Sequence, residues 1–268
     1  MNIPHTQPVP IARDTFLIPN LAEIAPDTYL YVNSLVIRGD EPVIVDTGAP
    51  VHRERWLEQV FSIVEPTDVR WVFLSHDDGD HTGGLHDALA MCPNATLVTN
   101  FFSDARLSIE HPLPIEREMW REPGDTFTAG DRRFRLFLPP IFDGPSTRGL
   151  IDESTGVMWA VDSFAAFTPS VAYHVDDIPA EMYRETFTTL NSLLSPWHQW
   201  LDPAKYGAHV DALEALAPTV VASAHGPVLS GPAIHDAFDH IRNIAGQPRV
   251  APPGQPMLDE ILAATVMA

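Results

Sequence analysis

The stretch that most constrains this 268-residue chain is His76-Asp77-Asp78-Gly79-Asp80-His81, which packs two histidines and three carboxylates into six residues. It follows directly on Arg70 to Ser75, a short apolar run of strand type, and precedes Thr82-Gly83-Gly84. A solvated acidic turn accounts for the aspartates alone. It does not account for histidines on both sides of them at the end of a buried strand, where loops held by a rigid sheet build sites. Imidazole and carboxylate without thiolate suit Zn, Fe or Mn. Alternating positions 76, 78 and 80 can point one way, with His81 turned toward a neighbouring centre. Such a loop can feed two metals about 3.5–4 Å apart.

Two further apolar strands end in candidate ligands: Val157 to Val161 leads into Asp162, and Val220 to Ala224 into His225. Strand patterns are also read over Thr28–Ile37, Val43–Asp46, Ala95–Val98, Phe127 and Phe134–Phe137. Helical spacing is read over 53–64, 84–90, 179–195, 208–215, 232–244 and 257–267. Strands in runs with helices inserted between them fit sheets covered by helices. No repeat or internal boundary is visible, so residues 1–268 are expected as one domain. Residues 1–20 are expected as a Pro-rich extended arm, and 246–268 as a Pro-rich tail with a short helix.

Hydrophobic residues make up 45% and charged residues 19%, enough apolar surface for a sizeable core. A formal charge of −20 repels phosphate backbones and anionic bilayers, which excludes nucleic acid and membrane surfaces as expected partners. No basic region followed by an apolar run opens the chain, and no run reaches 18 apolar residues, so neither a leader nor a membrane span is expected. The single cysteine, Cys92, excludes a disulfide within the chain and reads as a small buried apolar residue. A cytoplasmic location is expected.

Ser75 to Gly84 resembles the His-x-His-x-Asp-His motif of the metallo-β-lactamase superfamily, and the resemblance extends over nearly the whole chain. Asp46-Thr47-Gly48 lies upstream, Trp159-Ala160-Val161-Asp162 follows, and Ser223-Ala224-His225-Gly226-Pro227 closes the set. The resemblance implies an α/β (α+β) fold, an αββα sandwich of two mixed sheets flanked by helices, with two metals at one edge. It implies Asp162 as the bridge between the metals and His225 as a ligand to the second. Asp46 and Thr47 would support the site by hydrogen bonds to ligand side chains, and Asp77 would point away and fix the loop.

Two positions depart from the hydrolase pattern. Asp78 replaces the middle histidine, as in the oxygen-binding diiron branch that includes the β-lactamase-like domain of flavodiiron proteins, where the carboxylate is usually Glu. No histidine lies between His111 and His174, so Asp143 is taken as the replacement ligand; its other reading is an ordinary Asp-Gly turn. The implied set is then His76, Asp78, Asp80, His81, Asp143, Asp162 and His225. Its four carboxylates balance two divalent metals, whereas the usual hydrolase set would leave an excess of two positive charges.

Added carboxylates weaken the acidification of bound water that hydrolysis needs. Hard oxygen ligands favour Fe, with Mn and Zn as alternatives. The expected function is a carboxylate-rich diiron site that binds or reacts with dioxygen or a similar small oxidant. The alternatives are a dinuclear hydrolase of esters, lactones or thioesters using a bridging hydroxide, and a metal-bearing ligand sensor. No flavin or nicotinamide site is seen, so redox turnover would draw electrons from a separate donor or from a small-molecule substrate. A homodimer is implied by the flavodiiron resemblance alone. His174 is a candidate proton donor and, with Asp162, a candidate catalytic residue; a plain loop histidine is the other reading. Trp197, His198 and Trp200 would line a pocket or pack in the core. His86 reads as a surface helix residue.

Overall fold

Short strands that are apolar at every position, such as Val43–Val45 and Val157–Trp159, must be covered on both faces. The computed structural model, which describes residues 4–266, provides that cover in four layers. One sheet follows chain order through β1 (Val9–Ala12), β2 (Thr15–Ala25), β3 (Thr28–Ile37), β4 (Val43–Val45), β5 (Trp71–Phe73), β6 (Thr96–Thr99) and β7 (Glu118–Trp120). Its pairing is antiparallel from β1 to β4 and parallel from β4 to β7. The other sheet holds β8 (Thr126–Ala129), β9 (Arg132–Phe137), β10 (Gly149–Asp152), β11 (Val157–Trp159), β12 (Val220–Ala222) and β13 (Leu229–Ser230), with only β11 and β12 parallel.

Helices α1 (Arg53–Phe61) and α3 (Leu85–Met91) cover the first sheet, on either side of the single turn α2 (Gly79–Thr82). Helix α4 (Phe101–Leu107) follows β6, and its first amides bond to the Asn100 side chain. Helices α5 (Ala180–Leu194), α6 (Pro203–Glu214) and α7 (Pro232–Arg242) cover the second sheet, and α8 (Gln255–Val266) follows. This is the expected αββα sandwich.

The two-residue period of the strands sorts the core. Leu17, Val45, Phe73 and Val98 point inward and meet Phe134, Leu136, Leu150 and Trp159 of the facing sheet. Their neighbours Ile18, Ile44, Val72 and Leu97 point outward beneath Trp56, Val60 and Leu89. On the other side, Met158 and Val221 lie under Phe187, Val210 and Phe238. Each fully buried aliphatic side chain here contributes about 1.5–3 kcal/mol.

The N-terminal segment differs from expectation. Residues 9–12 and 15–25 are not a separate arm but β1 and β2, and β2 pairs with β3 along its length. Pro19 and Asn20 break the β-branched pattern, yet Asn20 is buried and Pro19 pairs with Asn33. Helix α6 starts at Pro203, earlier than the spacing suggests, because Asp202 caps the amides of Ala204 and Lys205. Strand β10 was also unread. Gly149 opens it where a Cβ would meet the Phe137 ring at 2.4 Å. The ends of the expected arm and of the expected helix 257–267 lie outside the described residues.

Candidate metal centre

The site gathers where parallel strands stop: β4 before Asp46, β5 before Ser75-His76, β11 before Asp162 and β12 before His225. Open parallel edges of this kind are where α/β sheets place ligands. Val161 and Phe164, on either side of Asp162, hold φ of 57° and 64°. A β-branched residue in the left-handed region is unusual, and here it turns the chain sharply so that Asp162 faces the other sheet.

The seven expected side chains converge. His76, His81 and Asp162 form one group of donor atoms within 4.8 Å of one another; Asp80, His81 and His225 form a second, and His76, Asp78 and Asp143 a third. Asp162 sits between the histidines. Its Oδ1 lies 3.3 Å from His81 Nε2 and 3.2 Å from His225 Nε2, and its Oδ2 lies 3.5 Å from His76 Nε2. Asp80 Oδ2 is 3.4 Å from His225 Nε2, and Asp78 Oδ2 is 3.8 Å from His76 Nε2.

The histidines are aimed by what holds their other nitrogen. His81 Nδ1 donates to Asp46 Oδ2 at 2.9 Å, and His225 Nδ1 donates to the Tyr31 carbonyl at 2.7 Å. Ser75 Oγ donates to Asp46 at 2.6 Å and stands 3.1 Å from His76 Nδ1, so it is placed to accept from the Nδ1–H. Each Nε2 is thereby directed at Asp162. Asp46 also accepts from the Ser75 amide and from Trp159 Nε1, so one buried carboxylate ties both sheets to the ligand loop. Thr47 bonds the His81 carbonyl through its amide and hydroxyl, and the Gly83 amide donates to the Gly48 carbonyl. A Cβ at Gly83 would meet that loop's backbone at 2.3 Å, so only glycine permits the approach.

The Asp143 loop is clamped to the same motif. Asp77 points away from the centre and binds Arg106 and the Ser146 hydroxyl, while the Arg148 amide donates to the Ser75 carbonyl. Trp197 donates to the Phe142 carbonyl at 3.0 Å and packs on its ring, so it braces this loop. Trp200 is largely exposed. His198 is buried against the Ile244 carbonyl, and His86 meets His111 at the surface. His174 belongs to none of the three groups. It is half-buried before the turn Val175–Asp177, on a segment hydrogen-bonded to Val228, three residues beyond His225.

The donor chemistry fits a cation. His81 Nε2 and Asp162 Oδ1 are buried without a hydrogen-bond partner, an arrangement costly for polar groups unless a ligand completes them. Burial opposes the charge of Asp162, yet His76, His225 and His81 together hold it well below the usual carboxylate range. Burial likewise opposes charge on His81, but Asp46 and Asp162 raise it well above an ordinary histidine; His225 is raised against burial by Asp162. His76 is lowered by burial and by His81. Asp78 is pushed up to about 7, first by burial and then by its hydrogen bond and repulsion with Asp143.

Asp46 and Asp77 act as the sequence implied, whereas Thr47 holds the His81 backbone carbonyl rather than a ligand side chain. Tyr31, Asn33, Ser75 and Trp159 were not anticipated. Asn33 had a visible signal, an amide inside an apolar strand; it donates to the carbonyls of Ser223 and Gly226 and so fixes the His225 turn.

Comparison with known proteins agrees with this geometry. The family model for the Metallo-beta-lactamase superfamily matches residues 27–100. A putative diflavin flavoprotein A 1 from Thermosynechococcus vestitus is 27% identical over 226 residues, covering 81% of this chain and 36% of that protein. A putative diflavin flavoprotein A 3 from Nostoc sp. is 25% identical over 202 residues, covering 74% and 33%. The chain spans about a third of the length of these relatives. The crystal structure of the flavodiiron protein from Giardia intestinalis superposes with a TM-score of 0.75 at 16% identity, over 90% of this chain and 60% of that one. The chain therefore has the metallo-β-lactamase fold, and its resemblance to that superfamily, on the side of the flavodiiron proteins, is borne out.

Proposed function

We propose that this chain holds a carboxylate-rich dinuclear metal centre, most naturally iron, that reacts with dioxygen or a similar small oxidant. The observation that carries the reading is the meeting of Asp78 and Asp143 beside His76, next to the Asp80–His81–His225 group, with Asp162 between them. His76, Asp78 and Asp143 would hold one ion, Asp80, His81 and His225 the other, and Asp162 both. Four carboxylates match two divalent ions in charge, and hard oxygen donors favour iron or manganese over zinc. The names of the relatives, flavodiiron and diflavin proteins, point the same way.

Two iron ions so held would supply electrons to the oxidant. The chain's own residues do the rest. Asp46 and the Tyr31 carbonyl keep the His81 and His225 tautomers fixed, and the buried Asp162 would offer its negative charge to the metals. Without metal, Asp78, half exposed beside Asp143, can hold a proton near neutrality, and an ion bound there would displace it. His174, on the segment joined to Val228, is proposed as a proton donor. Electrons would come from a separate donor or a small-molecule substrate. A single domain over 1–268 and a cytoplasmic setting belong to the same proposal. Among the described residues no helix is long and apolar enough to cross a membrane.

The test is metal analysis of the purified chain with absorption spectra before and after exposure to air. Two equivalents of iron and an oxygen-dependent spectrum are expected. Two zinc ions with a silent spectrum and turnover of esters or lactones would overturn the reading in favour of a hydrolase. His174→Gln should keep two metals and slow the spectral change; an unchanged rate removes His174 from the reaction.

A further inference from the structure

A cavity of about 630 Å³, lined by none of the seven proposed metal ligands, lies between residues 5–7 and the turn Pro50–His52 with helix α1 behind it. That volume falls within the roughly 300–1,000 Å³ usual for small-molecule sites. His52 and Gln59 line it and are only 3% and 6% exposed. Both ring nitrogens of His52 and Oε1 of Gln59 are buried without a hydrogen-bond partner. Orphaned polar atoms gathered at one cavity are costly unless something bound there completes them. Burial, and then the charge of Arg55, hold the His52 imidazole below its ordinary value. The ring is therefore neutral near pH 7 and offers one N–H and one bare nitrogen.

The charged groups of the wall are unmatched as well. Arg55 donates to the Pro4 and Thr6 carbonyls at 2.7 and 2.8 Å and meets no carboxylate among the described residues. Gln59 Nε2 donates to the Thr6 carbonyl at 3.0 Å, which leaves Oε1 as its open group. Glu54 and Glu58 stand one helical turn apart on α1, line the same cavity and have no cationic partner among the described residues. Like charges at that spacing repel, and a bound cation would relieve them. We propose that this cavity binds a free amino acid whose side chain ends in a group that both donates and accepts, as a carboxamide does. Arg55 takes the carboxylate, and Glu54 and Glu58 take the ammonium group. The carboxamide donates to Gln59 Oε1 and accepts from the His52 N–H. A simple anion would leave the two glutamates repelling each other, and a simple cation would leave Arg55 without a counter-charge.

Isothermal titration calorimetry of the full chain with L-glutamine and L-asparagine should show saturable one-to-one binding. Three probes each remove one group from glutamine: L-norvaline lacks the amide, glutaramate the ammonium group and γ-aminobutyramide the carboxylate. Each should bind roughly tenfold more weakly or worse. Glu58→Gln, at an exposed position, should weaken glutamine but leave glutaramate unchanged, because glutaramate has no ammonium group to lose. His52→Leu should abolish glutamine binding while circular dichroism and metal content stay those of the unaltered chain; if that buried change unfolds the protein, Glu58→Gln decides. No saturable heat with either amino acid, a norvaline affinity equal to that of glutamine, or glutamine binding that either folded variant leaves intact overturns the proposal.

Discussion

The two halves of the metal centre are built differently. In the His81–His225 half the imidazoles are buried, and each Nδ1 is anchored, one to a carboxylate with four donors and one to a strand carbonyl. In the His76–Asp78–Asp143 half two of three donors are exposed carboxylates on loops, and they repel each other. The first half is preorganised by the sandwich; in the second, on the proposed reading, a cation would have to offset the carboxylate repulsion. Metal should therefore enter the histidine half with higher affinity, and the second equivalent should be the weaker and more exchangeable one.

The largest effect should come from the group the halves share. Asp162→Ala should abolish both equivalents, read by metal analysis after gel filtration; retention of either ion would separate the halves more fully than the geometry does. Asp46→Ala should come next. It releases His81 and leaves the Ser75 and Trp159 donors buried without an acceptor, each costing about 1–3 kcal/mol. Chemical denaturation should show that loss, and chelator competition a roughly 10–100-fold weaker first ion. Asp143→Ala should remove only the second equivalent; a stoichiometry still at two would take Asp143 out of the ligand set.

The smallest effect concerns protons. The carboxyl of Asp78 is raised from 3.8 to about 7 in the folded chain. A raised carboxyl stabilises the fold fully below the lower value and loses that contribution as pH rises through the higher one. The metal-free protein should thus lose thermal stability between pH 4 and 7 relative to the metal-loaded protein. Asp78→Asn should flatten the difference; an unchanged slope would place the repulsion elsewhere. Asp78 is half exposed, so solvent screening keeps the effect modest.

What was legible beforehand follows the same division. His76 to His81 could be read because the ligands are contiguous and end a strand. Asp162 and His225 could be read because each ends an apolar run. Asp143 followed from the resemblance and a missing histidine, and it lies beside Asp78 because Ser146 and Arg148 pin its loop to Asp77 and Ser75. The Tyr31 carbonyl that aims His225 could not be read, since a backbone group leaves no trace in residue type. Strand β2 was missed because Pro19 and Asn20 argue against a strand when taken alone, although pairing with β3 along the whole strand overrides them.

The sheets come from successive stretches of chain, β1–β7 and then β8–β13. His76, Asp78, Asp80 and His81 arrive with the first, and Asp143, Asp162 and His225 with the second. A cation held between them would be a cross-link between the two halves of the polypeptide, closing loops of the kind a disulfide closes elsewhere. With Cys92 alone the chain has no covalent staple of its own, and this reversible one would make metal supply a control on how tightly the halves stay together.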